Sequence, residues 1–338
     1  MIQGHGDDRY RFEREIQADF SSNVYSHVDL APLKAHLRER LDLIGRYPEP
    51  EPYTLEKALA ARLAIEPAAL CVTSGATEAI YHIAHAFAGN HSTILQPTFS
   101  EYADACRIFG HRISKRVPVA PEEKASVIWL CNPNNPTGRV IPKEQLIQAI
   151  EEHPEAIFVM DQSYGFFTKE LLISEEEAVK YPNVLQLHSM TKRYAMPGLR
   201  LGYVVGHPTL IEKLRNVRMP WSVNALAIEA GLYLTQHPET APIDLAGLLA
   251  ETQRLREALN TIPGLTAEPT QTHFFLCRLA QGRAADLKQR LAEDYGLLIR
   301  DASNFEGLDE GCFRIATQTP AENELLVEAV RNILTNNG

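Results

Sequence analysis

The sequence predicts an α/β protein in which a mostly parallel sheet is covered by helices and is followed by a smaller α+β domain. Two observations predict this class: short apolar runs alternate with helical patterns over most of the chain, and the order changes near residue 244. The runs ALCVTS, STILQP, SVIWLC, AIFVMD and NVLQLHS have the length of strands, whereas ATEAIYHIAHAFA and PKEQLIQAIEE have helical apolar spacing. Such alternation is typical of βαβ units.

From residue 244 onward, the helical stretch LAGLLAETQRLREALNTI precedes the strand HFFLCRL, the helix AADLKQRLAEDY, the strands GLLIR and CFRIA, and a final helix. This order predicts an α+β domain. We therefore expect residues 1–40 to form an N-terminal segment that contributes to the substrate site. Residues 41–243 would form a large domain and residues 244–338 a small C-terminal domain.

Composition and charge exclude several classes of function. The formal net charge of −10 argues against nucleic acid or an anionic membrane as a general partner. No apolar run approaches the roughly 18 residues that span a bilayer, and the N-terminus lacks the apolar core of a signal peptide. The five cysteines lie far apart without a CxxC pair, which is typical of free thiols in a reducing compartment. We expect a cytoplasmic protein.

In such sheets ligands bind beyond the carboxyl ends of the strands, and four segments at that edge carry polar groups. The first is TSGATEA, residues 73–79, where a strand runs into a glycine and a helix. The free N–H groups of Gly75, Ala76 and Thr77 are available to an anion there. The alternative is an ordinary helix cap, with Ser74 or Thr77 as the capping residue.

The second and third segments are CNPNNPTGR, residues 131–139, and VMDQSYGFF, in which Asp161 follows an apolar strand. The prolines, asparagines and glycine of the former fix a turn and offer side-chain amides. The Asp161 carboxylate either caps a turn or pairs with a buried cationic ring nitrogen, where a charge-assisted hydrogen bond contributes about 1.5–3 kcal/mol. Tyr164 lies three residues further on.

The fourth segment is HSMTKRYAMPGLRLGY, residues 188–203, which places Lys192 and Arg200 among small and apolar residues. Ser189 and Thr191 add hydroxyl groups beside the lysine. Most lysines are solvated surface residues. In an apolar site, however, desolvation lowers the pKa of an amine and makes it nucleophilic at neutral pH. We therefore interpret Lys192 as a reactive lysine.

Taken in this order, the four segments resemble those of the class I and II aminotransferases, a fold-type I family that uses pyridoxal 5′-phosphate. The resemblance extends over nearly the whole chain. It implies that Lys192 carries the cofactor as a Schiff base and that Asp161 keeps the pyridine nitrogen protonated, so that the ring acts as an electron sink. Asn135 and Tyr164 would hydrogen-bond the ring hydroxyl, and Phe99 would stack on the ring.

The same resemblance assigns further residues. Those implied to bind the cofactor, mostly through its phosphate, are Gly75, Ala76, Thr77, Ser189, Thr191 and Arg200. Tyr47, in RYPEPEPY, resembles a tyrosine that reaches the phosphate in the neighbouring subunit, which implies a homodimer. Arg314, in CFRIATQT, matches an arginine whose planar guanidinium receives the substrate α-carboxylate. No metal is expected.

Two subfamilies share additional segments with this chain. RYP and GLRLGY fit histidinol-phosphate aminotransferases, whereas HGDD, ADFSSNV, MPWSVNALA and LIRDASNFEGLDEGCFRIA resemble L-threonine-O-3-phosphate decarboxylases of cobalamin biosynthesis. The latter resemblance implies that His5, Asn23 and Arg300 help bind the anionic groups of the substrate. The alternatives are a disordered tail for His5 and a surface arginine for Arg300. Gln162 stands where the family usually has glutamate.

The resemblance implies loss of CO₂ from L-threonine O-3-phosphate, giving (R)-1-amino-2-propanol O-2-phosphate. The same cofactor-binding residues can serve decarboxylation or transamination, so the residues that place the substrate's anionic groups decide which bond at Cα breaks. A histidinol-phosphate aminotransferase is the first alternative. The second is a catalytically silent, ligand-sensing regulator, against which the retained Lys192 and the acidic charge count.

Overall fold

The computed structural model describes residues 6–116 and 126–335, and the elements given below are those of this part of the chain. The strands are β1 (Ala18–Asp19), β2 (Leu70–Thr73), β3 (His91–Leu95), β4 (Arg112–Arg116), β5 (Val127–Cys131), β6 (Ile157–Asp161), β7 (Val184–Ser189), β8 (Gly202–Gly206), β9 (Leu265–Ala267), β10 (Phe274–Leu279), β11 (Leu297–Leu298), β12 (Arg300–Asp301) and β13 (Cys312–Ala316). The helices are α1 (Ala31–Glu39), α2 (Tyr53–Arg62), α3 (Gly75–Ala86), α4 (Glu101–Ile108), α5 (Lys143–Glu152), α6 (Glu175–Ala178), α7 (Met190–Arg193), α8 (Pro208–Arg215), α9 (Ala225–Gln236), α10 (Leu245–Asn260), α11 (Ala284–Tyr295) and α12 (Pro320–Thr335).

Strands β2 to β8 form a seven-stranded sheet in the order β2-β8-β7-β6-β5-β3-β4. Neighbouring strands from β7 to β4 are parallel, whereas β8 is antiparallel to both β2 and β7. The predicted α/β class with a mostly parallel sheet is therefore confirmed. Because β8 is antiparallel to both of its neighbours, β2 runs in the same direction as β7. The carboxyl ends of β2, β5, β6 and β7 therefore all lie at one edge of the sheet.

The central strands are buried on both faces, which explains why their sequences are almost continuously apolar. All five residues of β5 are buried, and Trp129 and Phe158 are among the largest fully buried side chains. Helix α3 buries Ile80 and Ile83 in the same core as Trp129. A core packed in this way holds the strand ends, and the polar residues that follow them, in fixed positions.

The C-terminal part contains a four-stranded antiparallel sheet in the order β12-β13-β10-β9. Helices α10, α11 and α12 contribute to the apolar core beside it, together with Phe275, Phe313 and Ile315 of the sheet. The predicted smaller α+β domain is confirmed. The boundaries that we placed after residues 40 and 243 stay predictions.

The N-terminal segment joins the C-terminal part through backbone hydrogen bonds. Strand β1 pairs in parallel with β11, with Ala18 opposite Leu297 and Asp19 opposite Leu298. The Phe20 carbonyl accepts a hydrogen bond from the N–H of Ala316 at 2.9 Å. This pairing brings residues 18–24 to the edge where the large sheet ends. Within the described residues, no helix is both long and apolar enough to cross a bilayer.

Candidate active site

A cavity of about 380 Å³ lies at the carboxyl edge of the large sheet, between that sheet, the N-terminal segment and the small domain. The residues predicted for the site that line it are Ala76, Thr77, Phe99, Asn135, Asp161, Tyr164, Ser189, Thr191, Lys192, Arg200, Arg300 and Arg314. Segments separated by more than two hundred residues therefore converge on one cavity, as the positions of the strand ends predict.

Lys192 lies in the short helix α7, directly after β7, and is enclosed by the cavity. Its Nζ donates a hydrogen bond to the backbone carbonyl of Ser22 at 2.7 Å. Burial and the charges of Arg314 and Arg200 together lower the pKa of Lys192 to about 8, although the charge of Asp19 opposes them. Loss of hydration thus makes a neutral, nucleophilic amine accessible near neutral pH.

This pKa predicts how the rate of cofactor uptake depends on pH. Only the neutral amine attacks an aldehyde, and with a pKa near 8 roughly a tenth of the amine is neutral at pH 7, against fewer than one in a thousand for an ordinary lysine. We expect the rate at which the cofactor-free protein binds pyridoxal 5′-phosphate to rise about tenfold per pH unit below pH 8 and to level off above it. Stopped-flow absorbance measures this, and a rate that keeps rising to pH 10 would contradict the lowered pKa.

Asp161 ends β6 and is nearly buried, at 5% exposure. Its Oδ1 accepts a hydrogen bond from the N–H of Ser163 at 2.9 Å, and its Oδ2 accepts one from the Tyr102 hydroxyl at 2.7 Å. The carboxylate therefore caps a turn, as the simpler alternative predicts, and also lines the cavity. An ionised carboxylate has lone pairs beyond these two bonds, so it can pair with a cationic ring nitrogen as well.

Helix α3 begins at Gly75, immediately after β2 and Ser74. The Ser74 side chain makes no capping hydrogen bond, so the ordinary cap is not formed by this residue. An added Cβ on Gly75 would lie 2.5 Å from a guanidinium nitrogen of Arg200, and one on Gly202 would lie 2.8 Å from the backbone nitrogen of Ala76. The two glycines therefore allow the Arg200 guanidinium and the N-terminus of α3 to lie close together. A helix N-terminus beside a cation is suited to binding a phosphate group.

Gly202 was not predicted as a site residue. Its role is to let β8 approach the start of α3, and a glycine inside a strand is the signal by which such a close approach could have been found. Arg200 itself has a left-handed backbone, with φ 58°, and its guanidinium contacts Thr191 Oγ1 at 3.5 Å. Phe99 lines the same cavity. Together with Lys192 and Asp161, these groups supply an amine, a carboxylate, an aromatic face and an anion cradle, which fit pyridoxal 5′-phosphate.

Arg300 and Arg314 provide two buried guanidinium groups beside this cradle, at 5% and 4% exposure. Burial lowers the pKa of each to about 10. Neither forms a salt bridge within the described residues: Arg300 donates to the Asp301 carbonyl and to Asn304 Oδ1, and Arg314 donates to Asn135 Oδ1 and the Ser21 carbonyl. Buried charges without a carboxylate partner favour binding of anions.

Three predicted residues do not line the cavity. Tyr47 is 85% exposed, with its ring 5.5 Å from that of Trp221. Asn23 is fully buried next to Tyr164, and its side-chain amide makes no hydrogen bond of ordinary geometry in the part of the chain that the structure describes. Gly75 does not line the cavity, but its lack of a side chain allows the Arg200 guanidinium to lie against the start of α3. His5 lies outside the described residues.

The N-terminal segment contributes more residues to the cavity than we predicted. Gly6, Asp7, Arg9, Asp19 and Ser22 line it. The sequence cannot indicate that the Ser22 carbonyl is an acceptor in the site, because every residue has the same backbone carbonyl group. Arg9 and Asp19 were not predicted as site residues.

Comparison with known proteins agrees with this geometry. Residues 15–330 match the family described as aminotransferase class I and II. A threonine-phosphate decarboxylase of Salmonella typhimurium is 32% identical, over 94% of this chain and 91% of that protein. A histidinol-phosphate aminotransferase of Caldanaerobacter subterraneus is 29% identical, over 86% of this chain and 85% of that protein.

Among solved structures, the crystal structure of L-threonine-O-3-phosphate decarboxylase from Porphyromonas gingivalis has a TM-score of 0.91 and 40% sequence identity, covering 94% of this chain and 99% of that one. The histidinol-phosphate aminotransferase from Clostridium acetobutylicum has a TM-score of 0.84 at 24% identity, covering 94% of this chain and 99% of that one. The chain belongs to the class I and II aminotransferase family and has the fold of its relatives.

Proposed function

We propose that this protein is a pyridoxal-phosphate-dependent decarboxylase that converts L-threonine O-3-phosphate into (R)-1-amino-2-propanol O-2-phosphate and CO₂ in cobalamin biosynthesis. The two buried guanidinium groups of Arg300 and Arg314 carry the proposal, because a phosphorylated amino acid has two anionic groups, a carboxylate and a phosphate. The similarity to threonine-phosphate decarboxylases supports it. Similarity to an adenosylcobalamin biosynthesis bifunctional protein of Leptospira interrogans also supports it. The two are 25% identical, over 93% of this chain and 38% of that protein.

Pyridoxal 5′-phosphate is the cofactor of the family, and the residues of the cavity fit it. Lys192 would bind its aldehyde carbon, Asp161 its ring nitrogen, and Asn135 and Tyr164 its ring hydroxyl. Phe99 would cover the ring, and its phosphate would lie between the start of α3 and the side chains of Ser189, Thr191 and Arg200. When bound, the cofactor supplies a protonated ring that takes up the electron pair left at Cα.

The protein's own residues decide which bond at Cα reacts. We infer that Arg314 would hold the α-carboxylate of the substrate and Arg300 its phosphate, since both guanidinium groups are buried in the cavity. These two contacts would keep the Cα hydrogen away from Lys192, the amine that could otherwise remove it. Decarboxylation needs no such base, whereas transamination does.

A histidinol-phosphate aminotransferase is the alternative, supported by relatives of 27–29% identity. Histidinol phosphate carries a phosphate but no carboxylate, so one of the two buried arginines would lack an anion in the first half of that reaction. The requirement for a keto acid separates the two functions. We expect turnover of threonine phosphate without 2-oxoglutarate; turnover of only histidinol phosphate together with 2-oxoglutarate would contradict the decarboxylase function.

We further propose that the protein works as a cytoplasmic homodimer. Four large apolar residues are between 50% and 85% exposed to solvent: Ile44, Tyr47, Met219 and Trp221. Exposed apolar groups that lie together mark a surface that another protein covers. A second copy of this chain would cover them and would bring its Tyr47 to the cofactor phosphate of the first.

Arg300→Gln is expected to raise the KM for threonine phosphate by about a hundredfold, because losing one partner of a desolvated charge pair costs roughly 2–5 kcal/mol, and about 3 kcal/mol corresponds to that factor. The absorption spectrum of the bound cofactor should not change, since Arg300 contacts the substrate and not the cofactor. Steady-state kinetics and absorbance measure both quantities. Arg278→Gln is the control, because this arginine lies on the same sheet but pairs with Asp309 at the surface. A normal KM for Arg300→Gln, with histidinol phosphate as the better substrate, would favour the aminotransferase.

A further inference from the structure

Residues 6–11, which we call the N-terminal strap, lie across one wall of the cavity. Gly6, Asp7 and Arg9 line the cavity directly. Arg9 is the cation that the strap brings there; its Nε donates to Asp7 at 2.6 Å, and its guanidinium lies 3.5 Å from Asp19. The cavity therefore gains part of its wall and two charged side chains, Asp7 and Arg9, from a segment that precedes the first strand.

The inner side of the strap is fastened to the turn that follows β1. The Asp7 N–H donates to Ser21 Oγ at 2.7 Å, and this hydroxyl donates to Asp19 at 2.6 Å. A Cβ on Gly6 would lie 2.3 Å from the Ser21 carbonyl oxygen, so any side chain at position 6 would push the strap away. The strap is thus in close backbone contact with the turn whose carbonyls bind Lys192 and Arg314.

The outer side of the strap is fastened to the small domain by one ion pair. Lys288, in α11, donates to both carboxylate oxygens of Asp8, at 2.7 and 2.6 Å. Both side chains are nearly buried, at 12% and 7% exposure, and the Lys288 ammonium also lies 6.0 Å from the Phe12 ring. Arg11 adds only a weaker contact to Asp8 at 3.9 Å. Removing one partner of a buried ion pair leaves the other charge uncompensated, which favours opening of the segment that it holds.

We propose that the Lys288–Asp8 pair is a latch that positions the N-terminal strap as a wall of the substrate cavity. Neither residue lines the cavity, so both are positioning residues, which act through Arg9 and Ser21. The assignment of the substrate to this cavity rests on the proposed function, whereas the fastening of the strap does not.

Limited proteolysis together with kinetics tests the latch. In Lys288→Met, trypsin should cleave after Arg9 and Arg11 about tenfold faster than in the wild-type holoenzyme, because cleavage follows the population of the opened segment. The KM for threonine phosphate should rise by a similar factor, while kcat and the absorbance of the bound cofactor stay within about twofold. Lys180→Met is the matched control, since Lys180 pairs with Glu176 at the surface. Asp8→Asn should reproduce the effects if Lys288→Met does not fold.

A charge exchange distinguishes the latch from a general loss of stability. Lys288→Glu should be worse than Lys288→Met, and adding Asp8→Lys to Lys288→Glu should lower the KM and restore most of the resistance of the bonds after Arg9 and Arg11 to trypsin. Mass spectrometry of the fragments separates these two bonds from the cleavage site that the substitution adds at position 8. Wild-type cleavage rates and KM in both single variants, or an exchange variant no better than Lys288→Glu, would overturn the proposal. If the wild type does not turn over threonine phosphate, the proposed function fails, and the cleavage rates alone decide the latch.

Discussion

Lys192→Ala is expected to lower turnover by at least ~10³-fold, since it removes the group that binds the cofactor covalently. The fold should survive. The Lys192 ammonium makes one hydrogen bond, to the Ser22 carbonyl, and burial together with Arg314 makes its charge unfavourable there, so the variant loses little packing and relieves a repulsion. Circular dichroism and the Tm should stay close to those of the wild type, while the visible absorption of the bound cofactor is lost.

Borohydride provides the companion measurement. Reduction of the wild-type holoenzyme should fix the cofactor to the peptide that contains Lys192, as mass spectrometry detects, and Lys192→Ala should retain none. Lys180→Ala, at an exposed position, is the matched control and should behave as the wild type does. A wild-type protein that cannot be reconstituted with pyridoxal 5′-phosphate, or a cofactor fixed to another lysine, would contradict the role of Lys192.

Asp161→Asn is expected to give the second largest effect, a loss of roughly 10²–10⁴-fold in kcat, the range in which positioned proton-holding groups contribute. An asparagine can still accept the hydrogen bond from the Ser163 N–H through its oxygen, and its amide nitrogen can donate to the Tyr102 hydroxyl in the reverse direction, so the turn and the core remain. What it lacks is the negative charge that keeps the ring nitrogen of the cofactor protonated. The cofactor should therefore remain bound while turnover falls.

The control for this variant is Asp104→Asn, in which a carboxylate on α4 that pairs with Arg107 is neutralised away from the cavity. Its kcat should be that of the wild type. Turnover, cofactor absorbance and Tm separate the outcomes. If Asp161→Asn retains near-normal turnover, Asp161 serves only as the cap of the turn at Ser163.

The large sheet and the strand-end residues could be predicted from the sequence because burial leaves a local pattern. Strands buried on both faces are apolar throughout, and the polar groups that follow them, such as Asp161 and Lys192, are therefore conspicuous. Parallel neighbours must end at the same edge, so residues far apart in the chain could be brought together without a structure. The antiparallel direction of β8 was not predicted, because an apolar run such as GYVVG does not indicate in which direction the strand lies in the sheet.

The rest of the site depends on contacts that leave no local pattern. Asp8 and Lys288 are 280 positions apart, and each resembles a surface charge until β1 and β11 bring the two segments together. The Ser21 and Ser22 carbonyls bind Arg314 and Lys192 through backbone groups that every residue has. Tyr47 cannot be placed at a site from one chain, since its proposed ligand belongs to a second copy.

The most direct test of the central claim is to follow the hydrogens at Cα in deuterium oxide. With L-threonine O-3-phosphate as the sole substrate and no keto acid, we expect the release of one CO₂ per substrate molecule. The amino-propanol phosphate product should retain its original Cα hydrogen and carry one deuterium where the carboxylate was, as nuclear magnetic resonance and mass spectrometry show. Exchange of the Cα hydrogen for deuterium without loss of CO₂, or product formation only with 2-oxoglutarate, would contradict decarboxylation, because the protein would then break the Cα–H bond as an aminotransferase does.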